Sequence, residues 1–141
     1  MDILLNKAIQ IATEAHKSQI DKAGMAYILH PMRVAEHCKG TDAKIVAILH
    51  DTIEDTSITP DYLIEQGFPE DIIDGILSVT RKEGEDYYDF VKRAGVNHIG
   101  RQVKLADLED NLDIKRLDCI KDTDIERINR YIKSYNYLAS L

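Results

Sequence analysis

Long apolar runs are missing from this sequence of 141 residues. No uninterrupted apolar stretch approaches the ~20 residues that a membrane-spanning helix needs. The beginning of the chain also lacks the basic segment followed by an apolar one that marks a secretory signal peptide. We therefore expect a cytoplasmic protein without a membrane partner.

Cysteine is scarce as well, with only Cys38 and Cys119, which lie far apart and form no Cys-x-x-Cys motif. This spacing excludes a disulfide scaffold as a description of the whole chain. The simplest expectation is that both cysteines are reduced thiols in or near the core.

Positive charge is outnumbered, since 18 lysines and arginines face 25 aspartates and glutamates, for a net charge of −7. Such a protein has no broad attraction for nucleic acid, so no nucleic-acid partner is expected. It can still bind a phosphorylated small molecule where cations concentrate locally or where a bound metal reverses the local sign.

The composition is otherwise that of an ordinary globular protein, with 44% hydrophobic and 30% charged residues. The sequence shows no linker, repeat or low-complexity segment, which predicts a single domain over residues 1–141. Apolar residues recur at helical spacing and never alternate over a sustained stretch, so we predict an all-α bundle of about seven to nine helices. The expected helices cover 2–19, 31–39, a segment capped by Thr41 or Asp42, 59–67, a segment from Pro69, 85–93, 98–112 and 122–141.

The most informative stretch follows the apolar run of the third predicted helix. If that helix continues, His50 lies one turn before Glu54, and Asp51 lies one turn before Asp55. The crowded carboxylates repel one another, and a divalent cation would remove that repulsion. Imidazole with carboxylate suits manganese, iron or zinc. The alternative is a charged helix end in water.

Two further residues could join such a site. Asp107 is flanked by apolar residues, and a buried lone carboxylate needs a partner. That partner is either a metal shared with His50 and Asp51 or the lysine one turn earlier, Lys104. His30, directly before Pro31, could instead cap a helix or bond a carbonyl.

Four segments in order resemble the HD-domain hydrolase region of the RelA/SpoT family, above all its small members without a synthetase domain. The segments are AHKSQ (15–19), KAGMAYILHP (22–31), LHDTIEDT (49–56) and VKLAD (103–107). The resemblance spans roughly Ile9 to Leu117.

This resemblance implies an HD-domain helical bundle with one divalent metal, usually manganese, with iron, zinc or magnesium as alternatives. It implies hydrolysis of the 3′-pyrophosphate of guanosine tetra- or pentaphosphate. The implied metal ligands are His30, His50, Asp51 and Asp107. The implied catalytic pair that handles the attacking water is Glu54 and Asp55, and the implied nucleotide contacts are Lys22 and Asn111.

Four residues, in three places, depart from the family pattern. Asp21 stands where long members carry an arginine, Ala26 replaces the usual proline, and Asp113-Ile114 replaces an arginine and a threonine. These departures keep two alternatives open: hydrolysis of another nucleotide or nucleoside monophosphate, and a nucleotide-binding module without turnover. The sequence does not assign roles to six further residues, Arg33, Arg81, Lys82, Tyr87, Tyr88 and Arg101, nor does it give the oligomeric state.

Overall fold

A computed structural model describes residues 2–141, and within this range the chain forms nine α-helices and one 3-10 helix. The predicted all-α class is therefore confirmed. The helices are α1 (Ile3–Ala15), α2 (Leu29–Glu36), α3 (Thr41–Leu49), α4 (Thr52–Asp55), α5 (Pro60–Glu65), α6 (Glu70–Ser78), α7 (Tyr87–Val96), α8 (His98–Asn111), the 3-10 helix (Ile114–Arg116) and α9 (Asp122–Ala139).

Helix α3 is the centre of the fold and packs against α1, α2, α6 and α8. Its residues from Ile45 to Leu49 are at most 2% exposed, so this helix is apolar on every side. Close packing of α8 on α6 depends on Gly100, because a Cβ atom there would collide with the Ser78 hydroxyl. The two site-bearing helices, α3 and α8, pack directly against each other.

Several predicted boundaries are wrong by a few residues. Helix α2 begins before Pro31, which sits in its first turn, where a missing N–H costs nothing. Helix α7 begins after Asp86, whose carboxylate accepts hydrogen bonds from Tyr88 N and Asp89 N. Gly40, at a φ of 89°, is the N-cap of α3 in place of Thr41 or Asp42.

The expectation for the two cysteines holds only in part. Cys38 is 3% exposed and belongs to the core, whereas Cys119 is exposed in the loop before α9. No helix within residues 2–141 combines the length and the apolar character that crossing a bilayer requires.

Candidate metal centre and cleft

His50 and Asp51 lie at a break between two helices, because α3 ends at Leu49 and α4 begins at Thr52. Two side chains form hydrogen bonds with carbonyl oxygens that, in a continuous helix, would accept only from backbone N–H groups. The imidazole Nδ1 of His50 is 2.6 Å from Ala47 O, and the Thr52 hydroxyl donates to Leu49 O at 2.8 Å. The assumption of one continuous helix through residue 55 is thus wrong, because side-chain hydrogen bonds replace the backbone hydrogen bonds of the helix at this point.

Because of this break, the second ring nitrogen of His50, Nε2, points into the interior of the protein. His50 is 2% exposed, and its Nδ1 lies at hydrogen-bond distance from a carbonyl, so Nε2 is the ring nitrogen left to bind a cation. This Nε2 lies 3.0 Å from Asp51 Oδ2 and 3.4 Å from Asp107 Oδ1, yet it has no hydrogen bond of acceptable geometry. A buried imidazole nitrogen that faces two carboxylates fits a cation between them.

His30 reaches the same point from α2. It is 5% exposed, and its Nε2 lies 2.9 Å from Asp107 Oδ1 and 3.9 Å from Asp51 Oδ2. Its Nδ1 lies 2.6 Å from Asp110 Oδ2. The alternative reading of His30 as a helix cap or a carbonyl partner is wrong, because both ring nitrogens face carboxylates.

Asp107 on α8 has both of the partners that the sequence left open. Its Oδ1 faces the two imidazoles, and its Oδ2 accepts a hydrogen bond from Lys104 Nζ at 2.9 Å. Although burial alone would raise it, the pKa of Asp107 lies well below its usual range because of Lys104 and the two histidines. The same pairing raises the pKa of the buried Lys104 against its desolvation.

The ligand atoms of His30, His50 and Asp107 all lie within 4.8 Å of one another. Asp51 stands beside this group and accepts a hydrogen bond from the Tyr27 hydroxyl. Burial lowers the pKa of His50, but the charges of Asp51 and Asp107 outweigh it and hold the pKa well above its usual range. The donor set is that of a first-row divalent metal.

Glu54 and Asp55 lie on the short helix α4, at the wall of the same cleft. Glu54 Oε1 accepts a hydrogen bond from Arg81 N at 2.8 Å, which orients this carboxylate. Partial burial, together with the charges of Asp51 and Glu54, raises the pKa of Asp55 to about 6. Asp55 is therefore mostly ionised at neutral pH and close enough to neutrality to exchange a proton.

The metal-ligand group opens into a cleft of about 510 Å³ that also contains Lys22 and Asn111. Asn111 Nδ2 donates to Asp107 Oδ1 at 3.2 Å. Cations are concentrated here despite the negative net charge. Those that line the cleft are Lys22, Arg33, Arg81, Lys104, Arg116, Arg127 and Arg130.

Of the six residues without an assigned role, Arg33, Arg81 and Tyr87 line this cleft. The other three, Lys82, Tyr88 and Arg101, are outside the lining that the described residues form.

Two of the sequence departures have a structural explanation. The Asp21 carboxylate accepts hydrogen bonds from Ala23 N and Met25 N, both at 2.9 Å, and so shapes the loop that carries Lys22. Asp113 forms an ion pair with Arg116 at 3.3 Å. Arg116 brings a cation to the cleft three residues after the position of the missing arginine.

Sequence reasoning missed Tyr27 as a partner of Asp51, Asp110 as a partner of His30, and the cleft residues Arg127, Arg130 and Tyr131 of α9. Asp110 carried a usable signal, since it follows Asp107 by three residues and so shares its helix face. The α9 residues carried none, because only tertiary packing brings the last helix to the cleft.

The chain is similar to known proteins in sequence and in fold. No family model matches the chain. A GTP pyrophosphokinase of Myxococcus xanthus is 30% identical over 89% of this chain and 18% of its own length. The guanosine-3′,5′-bis(diphosphate) 3′-pyrophosphohydrolase of Borreliella burgdorferi is 34% identical over 53% of this chain and 12% of its own length. The chain thus spans less than a fifth of these curated relatives.

One solved structure covers nearly the whole chain. It is described as a metazoan ortholog of SpoT that hydrolyzes ppGpp and plays a role in starvation responses. It superposes with a TM-score of 0.81 at 19% identity, over 98% of this chain and 86% of the other.

Fold and site together define an HD-type helical domain, with the histidine–aspartate pair at the break between α3 and α4. Within that class the chain is a relative of the RelA/SpoT proteins, as its four motifs predicted.

Proposed function

We propose that this chain is a metal-dependent phosphohydrolase of nucleotides, and that its reaction is removal of the 3′-pyrophosphate of guanosine-3′,5′-bis(diphosphate). Water adds to the 3′-phosphorus, the ester P–O bond breaks, and GDP and pyrophosphate leave. The observation that carries this proposal is the meeting of two imidazoles and Asp107 within 4.8 Å, at a cleft lined by cations. The names of the relatives supply the substrate.

One divalent cation, which we propose to be manganese, would be held by His30, His50, Asp51 and Asp107. When bound, such a cation supplies Lewis-acid activation of the phosphoryl group and of the attacking water. The protein's contribution is a set of ligands fixed before the cation arrives, since the ring nitrogens that face away from the centre are already hydrogen-bonded.

Glu54 and Asp55 are the proposed catalytic pair. Glu54 is held by Arg81 N, so it can orient the attacking water. With a pKa of about 6, Asp55 is suited to accept the proton that this water loses at neutral pH. Lys22 and Asn111, which both line the cleft, are the proposed contacts for phosphate and for sugar or base.

Replacement of Glu54 by glutamine tests the catalytic assignment. Glutamine keeps the hydrogen bond to Arg81 N but cannot act as a carboxylate. We expect turnover to fall by a factor of about 10²–10⁴, with metal affinity nearly unchanged. Pyrophosphate release from guanosine-3′,5′-bis(diphosphate) and metal titration measure the two quantities. The control is Glu65→Gln on the exposed side of α5, which should match the parent, and parent-like turnover of Glu54→Gln would refute the assignment.

The departures at Asp21 and at Asp113-Ile114 keep a second substrate class in view. A panel of nucleotides assayed with added manganese separates the candidates. Pyrophosphate from the 3′-substituted substrate supports the proposal, and orthophosphate from nucleoside monophosphates supports the alternative enzyme. Thermal stabilisation by nucleotide without any product supports a binding module.

A further inference from the structure

Asp110 lies on α8, one turn after Asp107, and is only 8% exposed. It belongs to none of the motifs that the sequence offered. Its Oδ2 is 2.6 Å from Nδ1 of His30, a short distance for a nitrogen–oxygen hydrogen bond. Burial of a carboxylate is costly, and this one lies directly behind a proposed metal ligand.

The carboxylate of Asp110 is held from two further sides. Arg33 donates from Nε to Oδ1 at 2.8 Å and from its terminal nitrogen to Oδ2 at 3.1 Å. Arg116 donates to Oδ1 at 3.3 Å and to the Asp110 carbonyl at 2.9 Å. The two guanidinium groups hold the carboxylate in place and fix its plane. Asp110 Oδ2 is thereby held toward Nδ1 of His30.

This arrangement decides the state of the His30 ring. Because Asp110 accepts from Nδ1, this nitrogen keeps its proton when a cation takes the place of the proton at Nε2, which lies 2.9 Å from Asp107 Oδ1 and 3.9 Å from Asp51 Oδ2. His50 differs, since its Nδ1 is held by the neutral carbonyl of Ala47. A carboxylate behind an imidazole increases the basicity of the opposite nitrogen more than a carbonyl does.

We propose that Asp110 is a positioning residue of the metal centre, one that fixes the tautomer and orientation of His30 and strengthens the bond from its Nε2 to a divalent cation. The inference rests on the metal centre of the proposed function and adds a residue that acts through His30. Arg33 and Arg116 serve the same unit by holding Asp110 in place.

The decisive measurement is the metal affinity of the full-length, metal-free protein, without any nucleotide. Asp110→Asn keeps an oxygen that can accept from Nδ1 but removes the charge. We expect Kd for Mn²⁺ or Zn²⁺, measured by titration calorimetry, to rise by a factor of about 10–100. The matched control is Asp113→Asn, which removes another partner of Arg116 without touching His30 and should leave Kd within about twofold.

A purely structural role of Asp110 is separated by a second background. In His30→Ala, the three remaining ligands still give a measurable Kd, and adding Asp110→Asn should no longer change it. An equal loss in both backgrounds would show that Asp110 acts on the fold and would overturn the inference. If Asp110→Asn does not fold, Asp110→Ser is tested by the same two measurements.

The outcomes also separate this inference from the proposed function. Parent protein that binds no divalent metal contradicts the metal centre as a whole. Parent protein that binds metal while Asp110→Asn binds it equally well contradicts only the role of Asp110.

Discussion

The two walls of the cleft differ in burial and in how their charged and polar groups are paired. On the metal side, His30, His50 and Asp107 are buried, and their charges are matched by neighbouring side chains. On a second wall, formed by α7 and α9, Tyr87 and Arg130 are only partly buried. There the Tyr87 hydroxyl and the Arg130 Nε are buried atoms without a hydrogen-bond partner, although the Arg130 guanidinium lies 4.5 Å from the centre of the Tyr87 ring.

The two walls therefore leave different atoms for a ligand: His50 Nε2 on the metal side, and the Tyr87 hydroxyl and Arg130 Nε on the second wall. Polar atoms that are buried without partners are costly, and native proteins keep them mainly where something else satisfies them. The metal side packs on the main core around α3, whereas the second wall rests on a small second cluster of Val91, Leu108 and Leu138. We therefore expect changes in the first wall to act on stability and metal, and changes in the second to act on the substrate.

The largest effect is expected for Asp107→Asn. This change leaves the buried Lys104 without its carboxylate and removes the negative charge that faces the two histidines. The free energy of unfolding of the metal-free protein should fall by about 3–5 kcal/mol, the usual cost of breaking a buried ion pair. Urea denaturation at pH 7 measures it, and a loss below about 1 kcal/mol would contradict the account.

The matched control for Asp107→Asn is Glu14→Gln. Glu14 pairs with Lys17 at 2.6 Å, closer than Asp107 to Lys104, but both side chains are more than 60% exposed. Removal of this exposed pair should leave the urea midpoint unchanged, because water already screens it. If the two variants lost the same stability, burial would not be what distinguishes the metal wall.

The asymmetry between the walls also explains what could be predicted from the sequence. The helical class followed from apolar spacing, and the comparisons confirm the family that four ordered motifs suggested. The motifs contain the metal-side residues because these lie on short segments with a fixed local pattern. The proposed roles of the ligands and of Glu54 and Asp55 stay predictions for the experiments above.

The rest depended on distances that sequence spacing does not encode. The helix break at His50 arises because side chains compete for the carbonyls of Ala47 and Leu49, which a helical pattern does not reveal. The second wall is formed by residues about forty positions apart in the sequence, such as Tyr87 and Arg130. In α9, Ile125 and Ile132 lie at helical spacing but are 50% and 45% exposed, so apolar spacing does not by itself identify buried residues.

An intermediate effect, on KM, is expected for Arg130→Met on the second wall. Methionine keeps apolar contact with the Tyr87 ring but removes one of the cations that line the cleft and could bind a phosphorylated substrate. KM should rise by about tenfold, with little change in kcat, as for an interaction made equally in the ground and transition states. Metal affinity should not change.

Lys133→Met is the matched control for Arg130→Met. Lys133 lies on the same helix, with its Nζ 4.6 Å from the centre of the Tyr88 ring, but neither residue lines the cleft. Its KM should equal that of the parent. A rise of KM in both variants would point to a general effect of surface charge. A loss of metal affinity in Arg130→Met would contradict the expectation that this wall acts on the substrate alone.

The smallest effect concerns Asp55, which lies between the two walls and whose pKa is raised from 3.8 to about 6 by burial and by neighbouring carboxylates. Between these two values the folded state binds the proton that the unfolded state has released, so the contribution of Asp55 to stability is lost as the pH rises through about 6. Asp55→Asn removes this loss. The metal-free variant should be more stable than the parent at pH 8 by on the order of 0.5 kcal/mol, a small value because water screens the half-exposed carboxyl. Urea midpoints of both proteins from pH 4 to 8 measure the gap, which should close at the acidic end while turnover of the variant is lost at every pH. Parallel stability curves would show that Asp55 carries no stored repulsion, and retained turnover would show that the proton of the attacking water goes elsewhere.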